Sequence, residues 1–212
     1  MPPKKKPTPS APKPKIPAAV LDSRRGVKSW QEAAAWLKVR GIEDVECITP
    51  DLAGVPRGKM MPASKFTSNT SLALPSALYR HTISGEYPDE TGNFRYDSRD
   101  SDIKLVPDLS TLSVVPWESD PTAQVICDIV GADGKNVPYT PRNVLKHVVK
   151  LYSDRGWKPV VAPEIEFYLV AVNEDPDYPL HPPKGRSGRS ISGGQSYSIA
   201  GINEFDELID DI

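Results

Sequence analysis

An α+β fold is predicted by three features of this 212-residue chain. An amphipathic helical segment near the N-terminus is followed by short stretches of alternating polarity, not by a regular strand–helix succession. Turns rich in Gly and Pro separate those stretches at hairpin spacing. A second amphipathic segment opens at Pro141 and leads into an apolar run that carries two acids. This length is enough to bury the core of one or two domains.

The chain begins with "MPPKKKPTPSAPKPKIPAAV", which holds five Lys, seven Pro and no acid. Such a composition buries too little apolar area to offset ordering entropy, so residues 1–28 are expected to be a disordered basic tail. The alternative is a basic arm for an anionic surface, but no aromatic residues interleave with the lysines. The rest of the chain carries 21 basic against 28 acidic residues, a poor balance for binding nucleic acid. No apolar core follows the lysines as in a secretory signal, and no run approaches the ~18 apolar residues of a membrane span. Cys47 and Cys127 lack metal-ligand spacing and read as reduced, buried thiols, which suits a cytoplasmic protein.

"SWQEAAAWLKVRG" predicts a helix, with Ser29 as its cap, Trp30, Ala33, Ala34, Trp36 and Leu37 as its apolar face, and Gly41 as its stop. "DVECITPD" alternates and predicts a strand, and "AGVPRGKMMP" supplies a turn and a second strand, together a hairpin. Arg57, Gly58 and Lys59 form a basic turn that could face an anionic substrate, although a solvated hairpin edge is the simpler reading. Thr82 to Asp108 is polar and irregular, a long excursion of the kind that is often functional. "TLSVVPW" and "TAQVICDIVG" predict two further strands, which makes residues 29–135 one domain.

"PYTPRNVLKHVVKLYSDRGW" predicts a helix capped at Thr140, with Pro141 in its first turn and Val144, Leu145, Val148, Val149 and Tyr152 at helical spacing. A second domain, residues 139–212, starts here and continues through a polar loop at 172–194, a strand "SYSIA" and a helix in "NEFDELIDDI" capped at Asn203. The last helix has no stop signal, so the chain is expected to end inside an element and the second domain to be incomplete. "GRSGRSISGG" could cradle phosphate but lacks the Lys-Ser/Thr of a P-loop and reads as a loop. His81, His147 and His181 read as structural or surface residues.

The apolar run "VVAPEIEFYLV" predicts a strand. Glu164 and Glu166 are two residues apart, so they project from one face about 6.6 Å apart, with Ile165, Phe167 and Leu169 on the other. Crowded carboxylates repel, and a divalent cation removes the conflict; oxygen-only ligands suit Mg²⁺ or Mn²⁺. An antiparallel strand with one solvated face fits the same pattern.

Four segments in order resemble the glutamine synthetase family. "DVECITPDLAGVPRGKMMPASKF" resembles the opening hairpin of its N-terminal β-grasp domain, and "SDIKLVPDLSTL" the segment that closes that domain's active-site loop. "TPRNVLKHVVKLYSDRGWKPVVAPEIEFYLV" resembles the first helix and strand of the catalytic domain, and "GGQSYSIAGINEFDELIDDI" the strand and helix after it. "RGK" and "PRNVL…FYLV" resemble the γ-glutamylpolyamine (putrescine) synthetase subgroup.

The resemblance implies a β-grasp domain followed by the truncated start of a catalytic domain. It also implies an ATP-dependent ligase that joins ammonia or an amine to the γ-carboxylate of glutamate through γ-glutamyl phosphate. Glu164 and Glu166 match metal-binding glutamates, one for each of two Mg²⁺ or Mn²⁺ ions, and Asp102 matches an acid of the ammonium or amine pocket. Homo-oligomeric rings are implied too. Two departures count. "HTISGEY" lacks the Asp that the ammonia-using enzymes carry there, which favours a larger amine. The chain is about half the family length, so it is expected to be inactive alone, its first domain folding more reliably than its second. A non-catalytic remnant and a small α+β binding module are the competing expectations.

Overall fold

In a computed structural model of the chain, residues 16–68, 72–82, 84–86, 101–175, 177–191 and 197–212 are described. They divide into two compact units, Met1–Pro159 and Val160–Ile212.

The first unit is a mixed six-stranded sheet with helices. Its elements in order are α1 (Ala18–Leu21), α2 (Trp30–Val39), β1 (Asp44–Pro50), β2 (Pro56–Pro62), α3 (Ala63–Thr67), β3 (Leu72–Pro75), β4 (Asp102–Pro107), β5 (Ser113–Val114), β6 (Thr122–Val130) and α4 (Pro141–Ser153). The sheet order is β2-β1-β6-β4-β3, with β5 paired to β6. β1 and β2 form the expected antiparallel hairpin, with Ile48 opposite Gly58. β1 runs parallel to β6, and the other pairings are antiparallel.

Alternation along the strands makes the core. Val45, Cys47 and Thr49 of β1 and Ala123, Val125, Cys127 and Ile129 of β6 point to one face, with Ile103 and Leu105 of β4 and Leu72 and Leu74 of β3. Against this face α2 buries Ala33, Trp36 and Leu37, and α3 buries Phe66. α2 is built as its sequence predicts: Ser29 accepts the Glu32 N–H at 3.2 Å, and Gly41 follows at φ 64°.

Several expectations change. Residues 16–28, read as part of a tail, are tied to the sheet. The Gly26 N–H donates to Leu112 O and the Val27 N–H to Leu109 O. Trp36 Nε1 and Arg40 Nη2 each reach Ser23 O at 2.8 Å, and Val27 is buried. Residues 1–15 lie outside the described residues. The excursion predicted from Thr82 to Asp108 ends early, because Asp102–Pro107 form β4. "DIKLVP" alternates buried Ile103 and Leu105 with exposed Lys104 and Val106, a pattern hidden when it is averaged into a polar window. "TLSVVPW" yields only the two-residue β5, because Leu109–Thr111 curl into a 3₁₀ turn first.

α4 has Pro141 in its first turn and Thr140 at its cap position, but the Thr140 hydroxyl donates to Val137 O at 3.0 Å and does not cap. Its docking side is polar. Arg142 bonds Asp108 and Asp128, Lys146 bonds Asp128, and Asn143 Nδ2 donates to Ile129 O and Val137 O at 2.9 Å each.

The second unit holds α5 (Ile199–Asn203) and α6 (Asp206–Asp211). The described residues 197–200 of "SYSIA" hold no strand: Ser198 caps α5 instead, accepting the Gly201 N–H at 3.1 Å. Asn203, expected to cap the last helix, is the last residue of α5, and α6 begins after Phe205.

Candidate functional site

The structure sets the three site residues expected from sequence in plain surroundings. Glu164 and Glu166 are exposed, in a stretch with no assigned strand or helix. This corrects the expected strand with a core face: Ile165 is 85% exposed and Phe167 55%. The physical reason is pairing. A strand holds its form by exchanging ladder bonds with a neighbour, and the described residues of this unit place none beside 160–170. Backbone bonds such as an Ala171 N–H to His181 O and a bridge from Lys184 to Ser190 lie farther along the chain. Among the described residues no group of three or more His, Cys, Asp or Glu could hold a metal ion. Asp102 opens β4 opposite Pro75 and is exposed.

Two carboxylates have the right chemistry for Mg²⁺ or Mn²⁺ but too few oxygens for either, which takes about six. The donor set therefore does not fit a complete metal site. The described part of the glycine-rich loop, residues 185–191, is no better suited to phosphate. Glu204 already takes the Ser187 N–H at 2.8 Å, its backbone oxygen takes the Arg186 N–H, and its side chain lies where a Cβ on Gly185 would fall. The Ser187 N–H draws the Glu204 carboxyl below its ordinary value, so an anion entering there would displace a well-held one.

The best-built polar cluster is one that sequence reasoning missed, at the tip of the β1–β2 hairpin. Asp51 is only 4% exposed. Its Oδ1 accepts the N–H groups of Ala53 and Val55, both at 2.9 Å, and its Oδ2 takes Arg57 Nε at 2.9 Å. Burial pushes this carboxyl up, but the Arg57 guanidinium and the two backbone N–H groups outweigh burial and hold it below the usual carboxylate range. Arg57 is thus the partner of a buried acid and not a loose edge residue. Its Nη2 faces the 82–86 turn, 3.9 Å from where a Gly85 Cβ would stand. Behind it Thr49 Oγ1 and Tyr79 Oη share a buried hydrogen bond of 3.0 Å. A signal for Asp51 was present, since 45, 47, 49 and 51 share one parity and an acid on the buried parity must be satisfied.

Beside the hairpin, Ile48, Pro50, Pro56, Ile126, Pro141 and Leu145 line an open apolar cleft of about 440 Å³. Its lining offers no donor for a phosphate beyond Arg142, which two aspartates already hold.

Comparison with known proteins places these elements. Residues 138–212 match the family model described as glutamine synthetase, catalytic domain. The chain is 31% identical over 197 residues to gamma-glutamylputrescine synthetase of Escherichia coli K12, covering 90% of this chain and 41% of that protein. The chain belongs to the glutamine synthetase family. It is also 33% identical over 138 residues to glutamate–isopropylamine ligase of a Pseudomonas species, covering 64% of this chain and 30% of that one. With glutamine synthetase of Halobacterium salinarum it shares 38% over 161 residues, covering 74% and 32%. The chain thus spans between about a third and two fifths of the length of these relatives. The catalytic-domain match begins three residues ahead of α4 and contains both glutamates.

Proposed function

We propose that this chain is part of a glutamine synthetase-family ATP-dependent ligase that joins an amine to the γ-carboxylate of glutamate through γ-glutamyl phosphate. The observation that carries this is the catalytic-domain match over residues 138–212, together with relatives named for γ-glutamyl amine products. An amine is preferred to ammonia because "HTISGEY" carries no Asp where the ammonia-using enzymes have one. Residues 29–135 are assigned to a β-grasp domain, 139–212 to part of the catalytic domain, and only residues 1–15 keep the reading of a basic N-terminal extension. Glu164 and Glu166 are proposed as two of the oxygen ligands for Mg²⁺ or Mn²⁺, and Asp102 as an acid of the amine pocket. An acid there favours a cationic amine ahead of its deprotonation. The ligand set on these residues is incomplete, so the 212-residue chain is expected to be inactive by itself. Assembly into a homo-oligomer, and a cytoplasmic setting, go with the same reading.

The test uses the protein isolated from its source cells, followed by a peptide spanning Glu164 and Glu166. ATP- and glutamate-dependent phosphate release is measured with putrescine and with ammonia. Release that is greater with the diamine, and lost on Glu166→Ala, is the expected result. No glutamate-dependent release with either nucleophile would overturn the ligase reading in favour of a non-catalytic β-grasp module. Release by the purified 212-residue chain alone would overturn the incomplete-site argument.

A further inference from the structure

The tip of the β1–β2 hairpin carries more than its own closure needs. Asp51 Oδ1, by accepting the Ala53 and Val55 N–H groups, already closes the turn. Its Oδ2 goes to Arg57 Nε instead, and a guanidinium gripped at Nε presents its rigid fork to whatever lies beyond. Here Nη2 lies against Gly85, which stands at φ 84° in the 82–86 turn. In that turn the Thr82 N–H donates to Glu86 O at 2.8 Å and the Gly85 N–H to Thr82 O at 2.9 Å, while the Thr82 hydroxyl accepts the Glu86 N–H at 3.1 Å. These bonds close the turn on itself; they do not place it against the sheet. A second tie joins the same two parts of the chain, the buried hydrogen bond between Thr49 and Tyr79. Tyr79 lies in the 3₁₀ turn Ser76–Arg80, and its ring stands edge-on to Tyr139 with centroids 6.3 Å apart. That 3₁₀ turn leaves the sheet beside Asp102: Pro75 pairs with Asp102, and the Ser76 N–H donates to Ser101 O at 3.1 Å.

We propose that Arg57 and Tyr79 are positioning residues for the amine substrate, which they serve by fastening the 82–86 turn and the 3₁₀ turn before it to the β1–β2 hairpin. The amine role rests on the ligase reading, in which "HTISGEY" and Asp102 lie on the amine side of the site; the fastening itself does not. Both ties start from β1 and its turn, and both end on the one stretch of chain that runs from Asp102's partner strand to the 82–86 turn. Arg57 acts through Gly85 and Tyr79 through the backbone it anchors. Placement of this kind matters to rate, because about 1 Å of misplacement in a reacting pair costs up to about 100-fold. On this reading the fastened segment meets the amine, so loosening it is felt by one substrate of three.

Two readouts keep the fastening apart from the ligase reading. Hydrogen exchange in the purified 212-residue chain follows the amides of Thr82, Gly85 and Glu86, with those of β6 as the internal reference. Arg57→Gln and Tyr79→Phe should each speed exchange at the three turn amides by about tenfold or more and leave β6 unchanged. Tyr79→Phe keeps the ring and its contact with Tyr139, so it reports even where Arg57→Gln fails to fold. The second readout is steady-state kinetics of the protein isolated from its source cells carrying the same substitutions. The KM for putrescine should rise about tenfold, with the KM values for ATP and glutamate held within about twofold. Arg57→Lys keeps the charge but loses the fork and should not restore the parent KM. Unchanged exchange at the turn amides in both variants would overturn the fastening. Equal rises in KM for all three substrates, or full rescue by Arg57→Lys, would overturn the amine role. Faster exchange in a protein whose parent shows no glutamate-dependent phosphate release would sink the ligase reading and the amine role with it, and leave the fastening standing.

Discussion

Gly58→Ala tests whether the β1–β2 hairpin, which carries the Asp51–Arg57 cluster, depends on close approach of two backbones. Gly58 stands opposite Ile48 in the ladder. A Cβ there would lie 1.9 Å from the Cys47 carbonyl oxygen and 2.9 Å from its carbon. An unstrained carbon–oxygen contact needs about 3.3 Å, and a backbone oxygen cannot rotate away. The strands must part by more than about 1 Å, which takes a hydrogen bond of about 2.9 Å beyond useful length. Two ladder bonds at about 1 kcal/mol each, plus residual strain, give a cost of about 3 kcal/mol. Gly54, at the same hairpin tip, supplies the contrast. Its φ is 81° and nothing lies within 4 Å of its Cβ position, so Gly54→Ala costs only left-handed strain, about 1 kcal/mol. Trp30, Trp36, Trp117 and Trp157 are the four tryptophans, and all lie in Met1–Pro159, so urea unfolding read by their fluorescence reports this unit. A loss below about 1 kcal/mol for Gly58→Ala, or a larger loss for Gly54→Ala, would refute the reasoning.

Asp51→Ala strips the acceptor from two backbone N–H groups and from Arg57, and should cost about 2–3 kcal/mol in the same urea assay. Asp51 and Asp108 are both held below the ordinary carboxylate value of 3.8; in each, burial acts against the shift and hydrogen bonds and nearby cations outweigh it. Their contribution is therefore fully present above that value and is lost as pH falls through the lower folded values. Urea midpoints taken below about pH 4 should drop, and a midpoint that rises on acidification would contradict the assignment. Asn143→Ala should cost about 1–2 kcal/mol by removing one donor from each of the carbonyls of Ile129 and Val137, which keep the N–H groups of Val137 and Thr140, measured as loss of α4 helicity together with stability. Both cysteines are buried, and the Cys127 thiol is pushed far up by the adjacent Cys47 thiol and by burial, with Cys47 drawn down in turn by that bond. A thiol-reactive disulfide reagent should label neither until the unit unfolds, and fast labelling of the native chain would show the core to be open.

Local pattern made much of the first unit legible. α2 could be read from its Ser29 cap and its 3.6-residue periodicity, and the β1–β2 hairpin and β6 from alternation around Gly and Pro turns. α4 was legible as a helix for the same reason. The short strands β3 and β4 were not, because four or six residues against a polar background give no period to count. Candidate acids were legible only by type. Glu164, Glu166 and Asp102 stood out from their neighbours or from family likeness, whereas Asp51 needed the strand parity to be followed one step past Pro50.

By itself, then, the sequence determined which segments could be helix or strand and which face of each was apolar, since those follow from neighbours along the chain. Tertiary structure decided what each face meets. It drew residues 16–28 into the sheet through Ser23, Gly26 and Val27. It satisfied the acid of Asp51 with two N–H groups and a guanidinium, and docked α4 by its charged arc. Among the described residues it gave 160–170 no ladder partner of the kind an alternating sequence requires. The physical reason is common to all four: burial and hydrogen bonding are settled between residues far apart in the chain, and local periodicity carries no record of the partner.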